Sequence, residues 1–285
     1  MCSNPPNVRN DPLRDWTSFI EQVCVEDVTY DDLNRLGIRA KKLKFKITEI
    51  QDFFREQYNE SMISSGMDGF CDQLKKIYSV FSVAGSSRVL VDNFLCYPID
   101  LLYDTTPNSS SVNDKVLVPE TELKNPENGY NLFISEDVSH IVLQCQPPDE
   151  ERLPGDPMLH QCMQTAIPGK IYLLRRAYPD SERPNLSDHI PGAVAQALAV
   201  AQRYRLDTLR FCVTTGNAWI YLVLRQDQGH TTYYVSDEYS PSSVYWDYTS
   251  GKATWEEFKR CVSDVSFRLI IWWMGLDEGN LYTLE

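Results

Sequence analysis

One helix set among short β-rich runs is the feature that most restricts the fold of this chain. Runs rich in β-branched and aromatic residues recur after residue 115 and are separated by polar or glycine-containing segments. One segment among them, Pro191 to about Tyr204, consists largely of Ala, Val, Leu and Gln, a composition typical of a helix. Strands interrupted by a helix predict an α/β domain from about residue 86 onward. The predicted strands are Lys115–Val118, Asn131–Ile134, His140–Cys145, Ile171–Leu174, Leu209–Val213, Ala218–Arg225 and Thr231–Ser236.

The first third of the chain carries helical signals instead. Asp11-Pro12 has the N-cap and first-position proline that begin many helices, and apolar residues recur after it at helical spacing. We therefore predict a helical N-terminal region over residues 1–85 and an α/β domain over residues 86–285. The further predicted helices are Asp31 to Tyr58 with a break at Gly37, a helix after Asp68, Ser86 to about Tyr103, and Thr254 to about Met274.

The charge of the chain is strongly acidic, with one local exception. Lys and Arg number 27 against 40 Asp and Glu, a formal net charge of -13, which counts against a nucleic-acid-binding surface over the whole protein. Residues 35 to 46, the basic run, contain no acid. Their simplest interpretation is a solvated helix face, and the alternative is a contact patch for phosphates or an acidic partner. The cations of the basic run are Arg35, Arg39, Lys41, Lys42, Lys44 and Lys46.

The sequence contains no motif for several classes of site. The eight cysteines stand singly, which favours reduced thiols over a disulfide framework. The histidines and cysteines lack the close pairs typical of zinc sites, and no phosphate-binding glycine loop or nucleophile motif occurs. No apolar run approaches the length of a membrane helix, and the N-terminus is polar. We expect an intracellular protein, cytoplasmic or nuclear, with no membrane partner and no cofactor.

Three segments together carry a resemblance to a known family. Residues 129–148 read as a strand, a turn and a second apolar strand that ends in polar residues and a proline pair. Ala193–Leu198 forms a Gln-containing helix, Phe211–Leu222 contains Thr-Gly-x-x-Trp, and Thr231–Val235 follows as a strand. This order resembles the PD-(D/E)XK nuclease-like domain of fungal protein families and crinkler-type effectors. The resemblance implies a restriction-endonuclease-like mixed β-sheet flanked by helices over residues 86–285.

The chain departs from that family at the positions that carry the chemistry. The family places Asp on the first strand of the hairpin and Glu-x-Lys at the end of the second, where this chain has Asn131, Gln144 and Gln146. The first-helix acid of many of these nucleases aligns with Ser87, and the family's Gln-containing helix aligns with the segment that holds Gln196. Neutral amides replace the carboxylates that hold Mg²⁺, and the cation beside the attacking water is lost. The resemblance thus implies a degenerate site with no catalytic residue and no metal.

These observations give one expected function and two alternatives. We expect a catalytically inactive, nuclease-like binding module that contacts a protein partner or a second copy of itself; the resemblance adds a role as a fungal effector or genome-conflict protein. The first alternative is an active Mg²⁺- or Mn²⁺-dependent nuclease in which displaced acids substitute. The second is a non-cutting nucleic-acid binder that uses the basic run. The acids near the predicted hairpin are Glu136, Asp137, Asp149, Glu150 and Glu151.

Overall fold

The computed structural model of the chain contains an eight-stranded sheet and a separate three-stranded sheet. It describes residues 21–22, 24–57, 60–80, 89–91, 93–95, 109–112, 116–125, 130–138, 140–145, 166–177, 185–227, 229–240, 247–262, 268–275 and 277–285. The strands are β1 Glu21–Gln22, β2 Arg39–Phe45, β3 Ser109–Val112, β4 Val116–Asn125, β5 Tyr130–Val138, β6 His140–Cys145, β7 Ala166–Arg176, β8 Thr208–Thr214, β9 Trp219–Asp227, β10 His230–Val235 and β11 Tyr282–Leu284. The helices are α1 Tyr30–Arg35, α2 Ile47–Gln57, α3 Glu60–Val80, α4 Ile190–Tyr204, α5 Trp255–Cys261, α6 Arg268–Gly275 and α7 Glu278–Leu281.

The large sheet is mixed. Its strand order is β11-β2-β10-β9-β8-β7-β6-β3, and the small sheet has the order β1-β5-β4. Within the large sheet, β2 and β10 are parallel and β7 and β8 are parallel, while the other neighbours are antiparallel. Parallel neighbours need a crossover connection, and α4 lies in the chain between β7 and β8. The predicted α/β class, with a mixed sheet flanked by helices, is therefore confirmed at this coarse level.

Helix α4 packs between the two sheets. It contacts β8 and β9 of the large sheet, and it also contacts β4 and β5 of the small one. Every residue from Ile190 to Ala201 is buried, which explains why the sequence of this helix is rich in Ala and lacks a polar face. The helix ends at Arg205, whose φ of 55° is left-handed. The helix predicted from Pro191 to about Tyr204 is confirmed.

Two apolar clusters cover the two faces of the large sheet. One cluster joins α4, the small sheet and inward residues of the large sheet such as Phe211 and Leu222. The other lies on the opposite face and includes residues of α3, α5 and α6 together with Tyr221 and Trp219. Because side chains alternate between the faces of a strand, adjacent residues of β8 and β9 enter different clusters. Both faces of the central strands are therefore inside the protein.

The N-terminal region requires a correction. Residues 39–45 were predicted as part of one helix from Asp31 to Tyr58, but they form β2, which pairs with β10 and β11. Helix α1 ends in a glycine cap: Ile38 N–H donates to the Leu33 carbonyl and Gly37 N–H to the Asn34 carbonyl, both at 2.9 Å, with Gly37 at φ 77°. The predicted break at Gly37 is thus a true helix end. A purely helical region over residues 1–85 is wrong, since β2 belongs to the large sheet.

Other helical predictions agree in place more closely than in length. Thr254 begins α5 with a capping box, in which its hydroxyl accepts from Glu257 N–H and the Glu257 carboxylate accepts from Thr254 N–H. The predicted C-terminal helix contains α5 and α6, and residues 263–267 between them lie outside the described part. Helix α3 begins before Asp68, at Glu60. The helix predicted after Asp11 lies outside the described residues, except for Glu21 and Gln22, which form the short strand β1.

Candidate functional site

The positions that the family resemblance aligned do not come together in one sheet. Asn131 lies on β5 of the small sheet, opposite Lys124. Gln144 lies on β6 of the large sheet, opposite Ser109. Gln196 is buried in α4. Ser87 and Gln146 lie outside the described residues. The hairpin predicted between Asn131–Ile134 and His140–Cys145 is wrong, because β5 pairs with β1 and β4 while β6 pairs with β3 and β7.

The physical reason is that the chain leaves one sheet and enters the other almost without interruption. β5 ends at Val138 and β6 begins at His140. A tight hairpin needs a reversal of chain direction over two or more residues, and no glycine or asparagine stands between these strands to make one. The alternation of apolar residues correctly predicted two strands, but it carries no information about which partner each strand takes.

Four of the six cations of the basic run lie on β2, which carries them on both of its faces. Lys42 lies 3.2 Å from an Asp237 carboxylate oxygen, and Lys44 lies 2.6 Å from one of Glu285. Lys46 pairs with Glu49 at 3.3 Å, and its amino group also donates to the Gly279 carbonyl at 2.9 Å. These pairs are at the surface and contribute little to stability, but they neutralise their cations locally.

Arg35 lies outside the strand and has a different role. It is in the last turn of α1, 4.0 Å from an Asp32 carboxylate oxygen. Its guanidinium also stacks on the ring of Tyr130, 3.9 Å from the ring centre. The Tyr130 hydroxyl donates to Asp32 at 2.7 Å, and this bond helps to hold the pKa of the Asp32 carboxyl below its usual value although burial acts to raise it. Arg35 therefore helps to join α1 to the small sheet.

Arg39 and Lys41 are the two exposed cations of β2 that have no carboxylate within ion-pair distance among the described residues. They lie on the same face of the strand, opposite Thr232 and Tyr234 of β10. The Lys41 amino group is 5.9 Å from the centre of the Tyr234 ring. The structure thus divides the basic run: the other four cations have acidic neighbours, and these two have none among the residues that the structure describes.

The backbone beside this pair is an open sheet edge. Lys42 N–H donates to the Glu285 carbonyl at 3.1 Å and Glu285 N–H donates to the Lys42 carbonyl at 2.9 Å, and β11 pairs no residue of β2 before Lys42 among those described. Backbone groups alternate in direction along a strand, so the N–H and C=O of Ala40 point to the same side as those of Lys42. Ala40 is exposed. We call residues Arg39, Ala40 and Lys41 the open edge of β2.

A second polar cluster is buried within the layer of helices. Arg210 on β8 donates to the Trp273 carbonyl at 2.6 Å and to the Tyr172 hydroxyl at 2.7 Å. The Tyr172 hydroxyl in turn donates to the Met274 carbonyl at 2.5 Å. These carbonyls belong to the last turn of α6, where helix carbonyls have no partner within the helix and a cation is favoured. Arg210 therefore acts as an internal cap for α6, a role that no sequence motif indicated.

The phenols of this cluster are held in the neutral form. Burial raises the pKa of Tyr172 to about 12, although the adjacent Arg210 acts in the opposite direction. Burial also raises the pKa of Tyr282 and of Tyr221 above their usual range. Nearer the surface, the Arg225 guanidinium lies 2.9 Å from a Glu278 carboxylate oxygen. No phenol here is prepared as a base near neutral pH, so the cluster supports packing and hydrogen bonding.

A small apolar cavity lies beside this cluster. Its volume is about 20 Å³, enough for one water-sized molecule, and its lining is almost entirely apolar. The Tyr221 hydroxyl and the ring N–H groups of Trp219 and Trp273 are buried without a hydrogen-bond partner among the described residues. Trp219, Tyr221, Trp272 and Trp273 are buried core residues, and Tyr245 and Trp246 lie outside the described part of the chain.

The acids offered as displaced metal ligands are only partly described. Glu136 and Asp137 lie at the end of β5, opposite Val118 and Leu117. Residues 149–151 lie outside the described ranges. Within those ranges, no group of three or more His, Cys, Asp or Glu side chains is arranged to hold a metal ion. None of the helices described here combines the length and apolarity that a membrane crossing needs.

Comparison with known proteins adds no assignment to this geometry. The sequence matches no protein-family model. It also matches no curated protein.

Proposed function

We propose that the chain is a non-catalytic binding module, built on a restriction-endonuclease-like sheet, whose strand β2 contacts an acidic protein partner. The observation that carries the proposal is the pair Arg39 and Lys41, which is exposed and without a carboxylate neighbour among the described residues of a protein with a net charge of -13. In such a protein the long-range field repels anions, so two unneutralised cations on one strand form a local point of attraction.

The hydrogen bonds that the buried polar groups make support a module without catalysis. Arg210 and Tyr172, two buried polar residues of the central strands β8 and β7, are hydrogen-bonded to the end of α6. Asn131 and Gln144, which the family would need as neighbouring carboxylates, lie in different sheets and carry neutral amides. A nuclease needs convergent oxygen ligands for its metal ion, and these positions do not supply them.

The arrangement of strands supports the fold part of the proposal. β7 and β8 are parallel with α4 between them in the chain, and each has an antiparallel neighbour on its outer side. This is a mixed sheet flanked by helices, as the resemblance implied. Because Asn131 lies in the small sheet, the proposal rests on the sheet and on β2, and not on the aligned motif positions.

The binding half of the proposal is tested with a fluorescently labelled polyglutamate chain. We expect wild-type protein to bind this probe with an affinity that falls as salt rises, and we expect the double variant Arg39→Gln, Lys41→Gln to bind about tenfold more weakly, roughly 0.7 kcal/mol for each charge. The matched control is Arg203→Gln, Lys252→Gln, which removes the same charge from exposed positions outside β2. Equal loss in both double variants would show a general charge effect and refute the proposal.

The non-catalytic half is tested by incubation with single- and double-stranded DNA and RNA in Mg²⁺ and in Mn²⁺. We expect no cleavage above that of a buffer control. Cleavage that disappears in the variants Glu136→Gln or Asp137→Asn would instead establish the active-nuclease alternative, since those acids are the described candidates for metal ligands. Isothermal calorimetry with Mn²⁺ on the same variants separates loss of metal binding from loss of folding.

A further inference from the structure

We propose that the open edge of β2 binds an extended acidic peptide by strand addition, with the acids at alternate positions of the peptide. This inference rests on the proposed binding function and adds to it the form and sequence pattern of the partner. It combines two independent properties of residues 39–41, each taken over the described part of the chain: the two cations have no carboxylate neighbour, and the outward backbone groups of Ala40 between them have no strand partner.

Strand β11 shows in the same molecule how such a segment would lie. It is extended, runs antiparallel to β2, and places the carboxylate of Glu285 on the cation of Lys44. Glu285 and Lys42 exchange both backbone hydrogen bonds, so they form a hydrogen-bonded pair of the ladder. The next such position along β2 is Ala40, two residues toward the N-terminus, and it is vacant among the described residues. A peptide in line with β11 would continue an existing ladder.

The register of an antiparallel ladder sets the pattern of the peptide. A residue opposite Ala40 would exchange backbone hydrogen bonds with it, and its two neighbours would lie opposite Arg39 and Lys41. Those neighbours project to the face that carries both cations, since side chains alternate along a strand. Glu or Asp at both neighbouring positions would meet one cation each, and directly opposed opposite charges stabilise a pair of strands. The expected motif is acid, any residue, acid.

The same charges argue against two other occupants of the edge. A second copy of β2 paired antiparallel on this edge, with Ala40 opposite Ala40, would bring Arg39 of each copy opposite Lys41 of the other, and like charges in that position are unfavourable. Nucleic acid would use the cations but would leave the Ala40 N–H and C=O without the ladder partners that a peptide supplies. An acidic peptide satisfies the side chains and the backbone together.

The test uses fluorescence anisotropy with a labelled peptide in which Glu alternates with Thr, titrated with the full chain. We expect binding that weakens about tenfold when the peptide backbone is N-methylated at the position opposite Ala40, because that change removes a ladder hydrogen bond and clashes across the strands. A peptide with the same number of glutamates, placed so that no two are two residues apart, should also bind more weakly. The variant Arg39→Gln, Lys41→Gln should lower affinity, and Arg203→Gln, Lys252→Gln should not.

A variant of the protein tests the backbone separately from the charge. Ala40→Pro removes the outward N–H and keeps both cations, and the inward ladder to β10 does not use that group. We expect it to lose peptide binding and to keep binding polyglutamate. Circular dichroism and urea unfolding check its fold, and the N-methylated peptide makes the same test on unaltered protein.

The outcomes distinguish failure of this inference from failure of the proposed function. Binding of the alternating peptide that is unaffected by N-methylation and by Ala40→Pro would refute strand addition while leaving a charged binding surface. Polyglutamate binding without any binding of the alternating peptide would do the same. Loss of all dependence on Arg39 and Lys41 would refute the proposed function itself. Tighter binding of single-stranded nucleic acid, or dimer formation through the edge in analytical ultracentrifugation, would also overturn the peptide assignment.

Discussion

Arg210 donates a hydrogen bond to the carbonyl oxygen of Trp273 at 2.6 Å and so joins the middle of the large sheet to the last turn of α6. The variant Arg210→Met would keep most of the side-chain volume and would leave buried acceptors at Trp273 and Tyr172 without this donor. Since each such acceptor costs about 1–3 kcal/mol, we expect the unfolding free energy to fall by roughly 2–6 kcal/mol. The measurement is urea unfolding with the slope checked for two-state behaviour.

The matched control for this prediction is Arg225→Met. Arg225 is also on the large sheet, but its side chain is 40% exposed and its partner is the surface carboxylate of Glu278. A partly exposed ion pair contributes little, so the loss should stay below about 1 kcal/mol. Similar losses in the two variants would show that Arg210 does not cap α6 in the way described.

The raised pKa of Tyr172 predicts that the protein loses stability at alkaline pH. Its pKa is raised to about 12 in the folded protein from an ordinary value of 10.0, chiefly by burial. A group with a raised folded pKa contributes stability that is complete below the unfolded pKa and is lost as pH rises through the folded pKa. The contribution of Tyr172 is therefore present below about pH 10 and disappears toward about pH 12. In that window the variant Tyr172→Phe should reduce the slope of unfolding free energy against pH by up to about 1.4 kcal/mol per pH unit.

Other tyrosines also have raised pKa values, so the prediction is read from the difference between wild type and variant. Partial burial raises the pKa of Tyr30, which is 45% exposed, to about 12. Urea midpoints collected at several pH values, together with tyrosinate absorbance, would separate Tyr172 from that background. An unchanged slope in Tyr172→Phe would contradict the prediction. Near pH 7 the variant should lose about 1–2 kcal/mol, because Met274 and Arg210 each lose a hydrogen-bond partner.

Replacement of Gly192 by alanine, a change that usually stabilises a helix, should destabilise this protein. A Cβ at this position of α4 would lie 2.5 Å from the backbone carbonyl oxygen of Val25, and backbone atoms cannot move aside cheaply. We expect Gly192→Ala to lower unfolding free energy by about 1–3 kcal/mol through overpacking, despite the higher helix propensity of Ala. Gly279→Ala in α7 meets nothing within 4 Å and should be neutral or stabilising by up to about 1 kcal/mol. Equal stability of the two variants would contradict the close approach of α4 to Val25.

The buried cysteines predict a slow reaction with alkylating reagents. Burial raises the pKa of the Cys71 thiol to about 12 and raises that of Cys212 above its ordinary range. Because the thiolate is the reactive form, iodoacetamide should modify these residues only after unfolding, and it should modify the exposed Cys24 in the native protein. Mass spectrometry of proteolytic peptides measures each site. Labelling of Cys212 as fast as that of Cys24 would show that the large sheet is open on that face.

Local patterns in the sequence predicted the strands and the central helix well, because burial on a strand or helix leaves a direct mark on composition. Predicted His140–Cys145 has the observed bounds of β6, and predicted Leu209–Val213 differs from β8 by one residue at each end. The Ala-rich segment that forms α4 was equally clear, since a helix buried on every side cannot carry charged residues on a polar face.

Strand β2 and the pairing of β5 and β6 were missed for different reasons. In β2, Leu43 is the one fully buried residue, and the surrounding lysines fit a solvated helix as well as a strand. The alternation of Leu43 and Phe45 with Lys42 and Lys44 was the available signal. For β5 and β6, the change of sheet depends on tertiary contacts that α4 makes with both sheets, and no local pattern encodes such contacts. Arg210 was missed because a buried cation on a strand resembles any other exposed one in the sequence.

The position of β2 in the sheet also has a consequence for the synthesis of the protein. Thr283 of β11 donates to the Lys44 carbonyl across 239 residues of sequence. At ribosomal rates of about 5–20 residues per second, β2 is complete roughly 10–50 s before its partner β11 is made. For most of this interval, until β10 is made, the backbone of β2 has neither of its partner strands. A high density of lysine on such a segment opposes association between nascent chains, so the composition of β2 protects the growing polypeptide before it serves the finished sheet.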